Sequence, residues 1–409
     1  MPDFFNNYAD FQVKVAGVVE ARSTDNLHVI QKDNSHVLAT VEVVYSTTST
    51  KGVFVGLPNI SHVLWKTNTP VSILYGLRPF INAAVFYGYV AGSTIIQKQE
   101  GDKKTPGFYK VQYLLTGTSQ FMQVAHSRSF KNVTASYIAT NLAKENGLRP
   151  VVTPHPFIFD YFVQDRKSDF RFLSDLADRI GYRFYVDGPD LFFVNPFIEY
   201  KRDNADTRPF FIMNRNYQTR DTLIDFAPVD GESVPDGGLA AIRKLSVINP
   251  TTNALVEATN QYLRFAAFND PEGPNPIQTI EHRDYTASTY KEALALLAAD
   301  TTANRHWVSA TGTLAGDPRV APGRLVDLVG TALYGPYQGS WMVREAEHHI
   351  HRDLTYPQRS TYRIDVTVGR DQIQNATALI PPEWDKVYAE VHAVQTDGRW
   401  RASNYGGSA

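Results

Sequence analysis

The sequence predicts an α+β protein that is predominantly β: two β-barrel units with a compact α/β domain inserted between them. Three observations carry this. Short β-branched and aromatic runs bounded by Ser, Thr, Asn and Gly fill the first ~115 residues and return after residue ~200. Two capped helical patterns are confined to the stretch between positions 134 and 181. Aromatic residues are abundant, with 22 Tyr and 23 Phe, which suits pleated, half-buried surfaces.

In chain order, Phe11 to Val19 alternates around Val13, Val15 and Gly17, and Val37 to Tyr45, Gly52 to Leu57, Phe80 to Val90 and Phe108 to Leu115 repeat the strand pattern. Thr134 is placed to cap a helix with Ile138, Ala139 and Leu142 on one face, and Gly147 to stop it. A Pro-rich crossing leads to a strand over Ile158 to Val163. Ser168 then opens a second helix, with Phe172, Leu173, Leu176 and Ile180 as its buried stripe and Gly181 at its end. A hairpin follows, Tyr182 to Val186 and Leu191 to Val194, turning at Asp187-Gly188-Pro189-Asp190. Strands resume at Thr222 to Ala227 and Ile242 to Ile248, and the Pro- and Asn-rich stretch 266–284 reads as a long loop. Thr289-Tyr290-Lys291-Glu292 has the form of a capping box opening an Ala/Leu helix to about Ala303. Strands are expected again at Trp307 to Thr313, Arg324 to Val329, Ser340 to Ala346 and Tyr362 to Val368. The domain plan is a barrel over 1–117, the insert over 118–199, a second barrel over 200–372 and a docking tail over 373–409. In that tail Trp384, Val387, Tyr388 and Val391 share one face of a short amphipathic helix after Pro381-Pro382, a surface for a partner or for the chain itself.

Composition narrows the function. Over 409 residues, 40 Lys+Arg against 42 Asp+Glu leave a net charge of −2, without the basic excess of a nucleic-acid binder. No run approaches the ~18 apolar residues of a membrane helix, and the N-terminal segment lacks a secretory pattern. The absence of Cys removes disulfides, thiolate nucleophiles and cysteine metal sites together. Phosphate loops, nucleophile elbows and HExxH motifs are missing. Asp175 and Asp178 alternate with Arg171 and Arg179, as on an ion-paired helix surface. Asp225, Asp230 and Glu232 offer acids without a partner identifiable by spacing. The Arg-aromatic string Arg208-Pro209-Phe210-Phe211 reads as packing. In Glu347-His348-His349-Ile350-His351, strand alternation points His349 and His351 the same way, a weak beginning of a metal site that spacing alone does not complete. The expectation is no catalytic residue, no cofactor and no tightly bound metal.

One string is specific. Gln164, Ser168-Asp169-Phe170-Arg171-Phe172-Leu173, Leu176-Ala177 and Gly181-Tyr182-Arg183-Phe184, ending in Leu191 and Phe193, resembles the signature of phage late control protein D and VgrG-like proteins, the baseplate hubs of contractile tails and related injection systems. Ser127 to Thr134 looks like that family's entry into its first inserted helix. The turn Gly316 to Val326, with Gly323, and the strand Gly339 to Val343 followed by His348 are similar to parts of its second barrel. The resemblance implies tail-tube-like barrels and a homotrimer that adapts a sixfold tail tube to a threefold spike, in the tail baseplate assembled in the bacterial cytoplasm. It also implies tape-measure and baseplate-wedge proteins as partners, and makes His348 structural. VgrG-like chains continue into a further barrel and a needle; this sequence ends at residue 409, so the spike is expected to be a separate polypeptide. The alternatives are a tail-associated cell-wall-degrading enzyme and a receptor- or carbohydrate-binding β-protein.

Overall fold

The first β unit is built from β1 (Ala9–Val15), β2 (Val18–Val19), β3 (Ser23–Lys32), β4 (Leu38–Thr47), β5 (Pro70–Leu77), β6 (Phe80–Gln99) and β7 (Gly107–Gly117). The insert follows as β8 (Ala125–Thr134), α1 (Ala135–Glu145), β9 (Arg149–Val152), β10 (Ile158–Ser168), α2 (Asp169–Ile180), β11 (Arg183–Asp187) and β12 (Asp190–Val194). After it come β13 (Phe210–Ile212), β14 (Leu223–Val229), β15 (Ile242–Ile248), β16 (Leu255–Thr259), β17 (Thr279–Arg283), β18 (Val308–Ala315), β19 (Leu325–Val329), β20 (Gly339–His351) and β21 (Thr361–Arg370). The structure is a computed structural model, and it describes residues 8–20, 23–47, 65–78, 80–99, 107–155, 158–195, 208–214, 221–229, 242–248, 255–259, 279–283, 308–333 and 335–370. The expected strand at Gly52 to Leu57, the helix from Thr289, the acids Asp230 and Glu232, and the tail residues Trp384, Val387, Tyr388 and Val391 lie outside the described residues.

The protein is predominantly β, as its sequence predicts. The two β units share one 13-stranded sheet, in the order β14-β18-β21-β20-β3-β4-β7-β6-β5-β1-β2, with β13 and β19 branching from β20. The join is the antiparallel pair β3–β20, in register from Lys32 opposite Glu345 to Asn26 opposite His351. Reading each unit's strands separately does not anticipate this seam, because its partners lie about as far apart in the chain as two segments can. Strand alternation fixes its faces. Leu27 and Val29 of β3 meet Ile350 and His348 of β20 in the core, while Asn26, His28, Glu347, His349 and His351 line the opposite, polar face. Leu27, Val29, Val41, Val43, Trp341, Val343, Ala346 and Val368 belong to a single buried cluster spanning both units.

Arg352 ties the end of β20 to the first two long strands. Its guanidinium donates to the carbonyl oxygens of Thr24 (2.8 Å) and Phe11 (2.9 Å) and to Asp10 Oδ1 (3.2 Å), and it lies over the Phe11 ring. Asp10 is also paired with Arg78 at 2.6 Å.

The insert has its own core. Ile138, Ala139 and Leu142 of α1 and Phe172, Leu173, Leu176 and Ala177 of α2 pack with Phe184, Val186, Leu191 and Phe193 of the β11–β12 hairpin. The caps form as the residue types require: Thr134 Oγ1 accepts from the Tyr137 N–H, and Ser168 Oγ from the Arg171 N–H, both at 3.2 Å. Gly181 closes α2 at φ 70°, with Tyr182 N–H donating to the Ala177 carbonyl, so the helix ends in a Schellman motif that disfavours a Cβ at position 181.

Two expectations are corrected. Residues 266–284 are not loop throughout, because β17 pairs in parallel with β15, Ile242 opposite Thr279. Its polar composition gives no strand signal of its own, and the partner supplies the conformation. Strands β3, β5, β8, β9, β13 and β16 are absent from the sequence-based plan, β9 lying in the expected Pro-rich crossing, and several predicted strands run longer, β6 to Gln99 and β20 to His351.

Candidate functional site

Two residues of the string that carries the resemblance, Gln164 and Asp169, meet at a buried junction of the insert. Asp169, at the first position of α2, is buried. Gln164, within β10 where its register with β8 shifts, donates from Nε2 to Asp169 Oδ1 and to the Lys167 carbonyl, both at 2.8 Å. Asn146, which follows α1, donates to Asp169 Oδ2 at 2.9 Å. Arg128 of β8 donates to Gln164 Oε1 at 2.8 Å and also to Asp169 and Glu145. Burial by itself would raise the Asp169 pKa; the donors Gln164, Asn146 and Arg128 outweigh it and hold the carboxyl below its ordinary value. Four segments of the insert are thus tied through one ionised side chain. Arg128 and Asn146 are members that sequence reasoning did not tie to Asp169, since they lie 41 and 23 residues from it in the chain.

The rest of the signature packs and docks the insert. Phe172, Leu173, Leu176 and Ala177 are buried, and the Tyr182 hydroxyl donates to the Pro154 carbonyl at 3.0 Å. Asp175 is ion-paired with Lys167 and Arg171, as expected of a solvated helix face. Asp178 instead accepts from Asn34 Nδ2 at 2.8 Å, a contact with the turn after β3. The same turn gives Asn34 Oδ1 to the Phe184 N–H (3.1 Å) and Asp33 to Arg183 (2.6 Å), and His36 beside it stacks on Phe170. Gly323 completes this dock: it sits at φ 77°, and a Cβ there would lie 1.6 Å from Arg183 Nη1.

His348 is fully buried, with Nδ1 2.8 Å from the Tyr362 hydroxyl and the Tyr75 ring edge-on at 5.6 Å. Burial pulls its pKa down to about 4, so it is a neutral core imidazole.

The neighbouring histidines divide differently from the expectation. His351 Nδ1 lies 2.7 Å from Asn26 Oδ1. His349 stands beside His28 of β3, the rings stacked 4.3 Å apart, with Glu347 Oε2 3.3 Å from His28 Nε2 and 3.8 Å from His349 Nε2. The acid that spacing seemed not to provide is Glu347, two residues before His349 and therefore on the same face of β20. Burial, then the neighbouring His349, lowers the pKa of His28.

A cleft of about 580 Å³ opens between the sheet, the β11–β12 turn and the loop before β19, lined among others by Tyr75, Tyr87, Asp187, Arg208, Arg319 and Arg324. Burial, then Asp190, raises the Asp187 pKa. Asp190 is itself held by Arg149 at 2.5 and 2.6 Å. Asp225 is exposed on β14.

Neither a family model nor a curated protein matches the sequence. Solved structures do match. A 43 kDa tail protein of prophage MuSo2 from Shewanella oneidensis superposes with a TM-score of 0.59 at 11% identity, over 90% of this chain and 100% of that one. The tail protein from Neisseria meningitidis MC58 gives 0.55 at 12% identity, over 90% and 99%. An E. coli type VI secretion component, described as structurally similar to bacteriophage tail proteins, gives 0.52 at 10%, over 90% and 80%. The fold is that of phage tail proteins. At these identities the likeness concerns the fold, and it extends along nearly the whole length of those first two tail proteins. No helix among the described residues is long and apolar enough to cross a membrane.

Proposed function

We propose that this protein is a structural hub of a phage tail or related injection baseplate, a homotrimer that joins a sixfold tail tube to a threefold spike. The observation that carries the reading is the shared sheet: one chain contributes two β units fused edge to edge through β3 and β20. Three such chains present six β units, the number needed to meet a sixfold tube, while keeping the threefold symmetry of a spike. The fold shared with tail and secretion-system proteins supports the same reading. So does the character of the signature, in which Asp169, Gln164 and Arg128 hold architecture together and Gly323 seats Arg183. Among the described strands, β14 and β2, and β13 on the branch, end the sheet, and a ring of copies would cover such edges. In this reading the tube protein, the spike, the tape-measure protein and the baseplate wedge proteins are the partners. The tail segment bearing Trp384, Val387, Tyr388 and Val391 docks onto a neighbour or the spike. Light scattering of the purified chain, followed by imaging after addition of tube protein, tests the proposal. Trimers that form rings on tube ends are expected. A stable monomer at micromolar concentration that forms no ring would overturn it.

A further inference from the structure

We infer that His28, Glu347 and His349 form a binding site for one divalent transition-metal ion of the zinc class, set across the seam between β3 and β20. The inference stands apart from the hub reading, because it rests on the seam alone. The three side chains each offer one ligand atom, and these atoms lie within 4.8 Å of one another. Glu347 Oε2 is 3.3 Å from His28 Nε2 and 3.8 Å from His349 Nε2. Four ligands at about 2.0–2.1 Å from a tetrahedral zinc stand roughly 3.4 Å apart, so only side-chain adjustment is needed.

The backbone supplies the preorganisation. His28 and His349 are directly opposed in the antiparallel register, which fixes both Cα positions, and Glu347 follows His349 on the same face by alternation. His349 Nε2 is shielded from solvent and makes no hydrogen bond, the state of a nitrogen waiting for a ligand. A second carboxylate, Asp365 Oδ2 of β21, lies 3.2 Å from that nitrogen, while its Oδ1 is held by Thr313 at 2.7 Å. Because it faces the same nitrogen that would bind the ion, it is placed as a fourth ligand. Arg363, opposite His349 on β21, is the cation nearest in register, and the two carboxylates Glu347 and Asp365 offset it against an incoming dication. An adjoining hollow of about 330 Å³, bordered by His28, His349, Glu42 and Gln112, leaves space for a bound water.

Two imidazoles with carboxylate oxygen select zinc, cobalt, nickel or copper over magnesium or calcium, which prefer all-oxygen sites. His351 is excluded by its contact with Asn26. The ion would staple strands from opposite ends of the chain.

The test uses the full chain, stripped with chelator and titrated with zinc chloride by calorimetry, with metal content measured after desalting. One zinc per chain is expected, with a higher unfolding midpoint in its presence. Binding should weaken at least tenfold in His349→Ala and in His28→Ala, and be unchanged in His351→Ala. Circular dichroism checks that the variants fold, and cobalt substitution of the unaltered chain provides a visible spectrum independent of any variant. Absence of stoichiometric zinc in the unaltered chain would overturn the inference. Zinc retained at full affinity in folded His349→Ala, or lost equally in His351→Ala, would overturn it too.

Discussion

Asp169 is the carboxylate on which Gln164, Asn146 and Arg128 meet, and its ionisation is what holds that bonding together. Its folded-state pKa is lowered, against the effect of burial, by Gln164, Asn146 and Arg128. A carboxyl with a depressed folded pKa stabilises the fold above its unfolded pKa of ~3.9, and that contribution disappears as pH falls through the folded value. Asp169→Asn keeps the shape but loses the charge facing a largely buried guanidinium, so a loss of about 2–4 kcal/mol is expected at pH 7. Denaturant midpoints of both proteins at pH 7 and in strong acid check this. The gap should close on acidification, and a gap independent of pH would place the effect in packing. Gly323 makes a second case at the same scale. Ala there meets both a positive φ and the Arg183 guanidinium, so Gly323→Ala should cost about 2–3 kcal/mol and free Arg183 from Asp33. Gly323→Ala combined with Arg183→Ala should recover the part due to collision, leaving the part due to φ.

The helices and the hairpin of the insert were legible in the sequence because their signals are local. A threonine or serine cap, an apolar stripe at helical spacing and a terminal glycine sit within one or two turns of each other in α1 and α2. The same locality makes firm predictions possible. Leu176 is fully buried and Gly181 is left-handed, so Leu176→Asp and Gly181→Val should each cost several kcal/mol and yield insoluble protein. Folded, soluble forms of both would mean that α2 does not pack as described. What the sequence hid is non-local. In β3, Asn26, His28 and Gln31 interrupt the apolar run, and only pairing with β4 and β20 on either side makes Leu27 and Val29 a core strand. The His28–Glu347–His349 cluster was half legible: Glu347 and His349 follow from alternation, whereas His28 lies more than three hundred residues away and is placed by the seam. Arg128 was hidden beside Asp169 for the same reason.

The seam decides how the whole molecule should come apart. The two β units share one sheet and one buried cluster, whereas the insert's helices and hairpin form a second cluster with no residue in common. Cooperativity follows shared burial, so the two β units should unfold together and the insert by itself. Scanning calorimetry of the full chain is then expected to show at most two transitions, despite three segments in sequence order. Arg352 distinguishes them. Its guanidinium joins β20 to Thr24, Asp10 and Phe11, and none of these partners belongs to the insert. Arg352→Ala leaves Asp10 with Arg78 but strips the Thr24 and Phe11 carbonyls of a donor, a loss of about 3 kcal/mol confined to the sheet. The sheet transition should fall by several degrees while the insert transition stays in place. The reverse experiment uses Arg183→Ala, which loosens the dock to Asp33 and should separate the two transitions further without lowering the sheet's own. Separate melting of the first β unit and the strands after residue 308, each with its own heat, would mean that β3 and β20 do not hold the two together, and the six-unit ring would lose its physical basis.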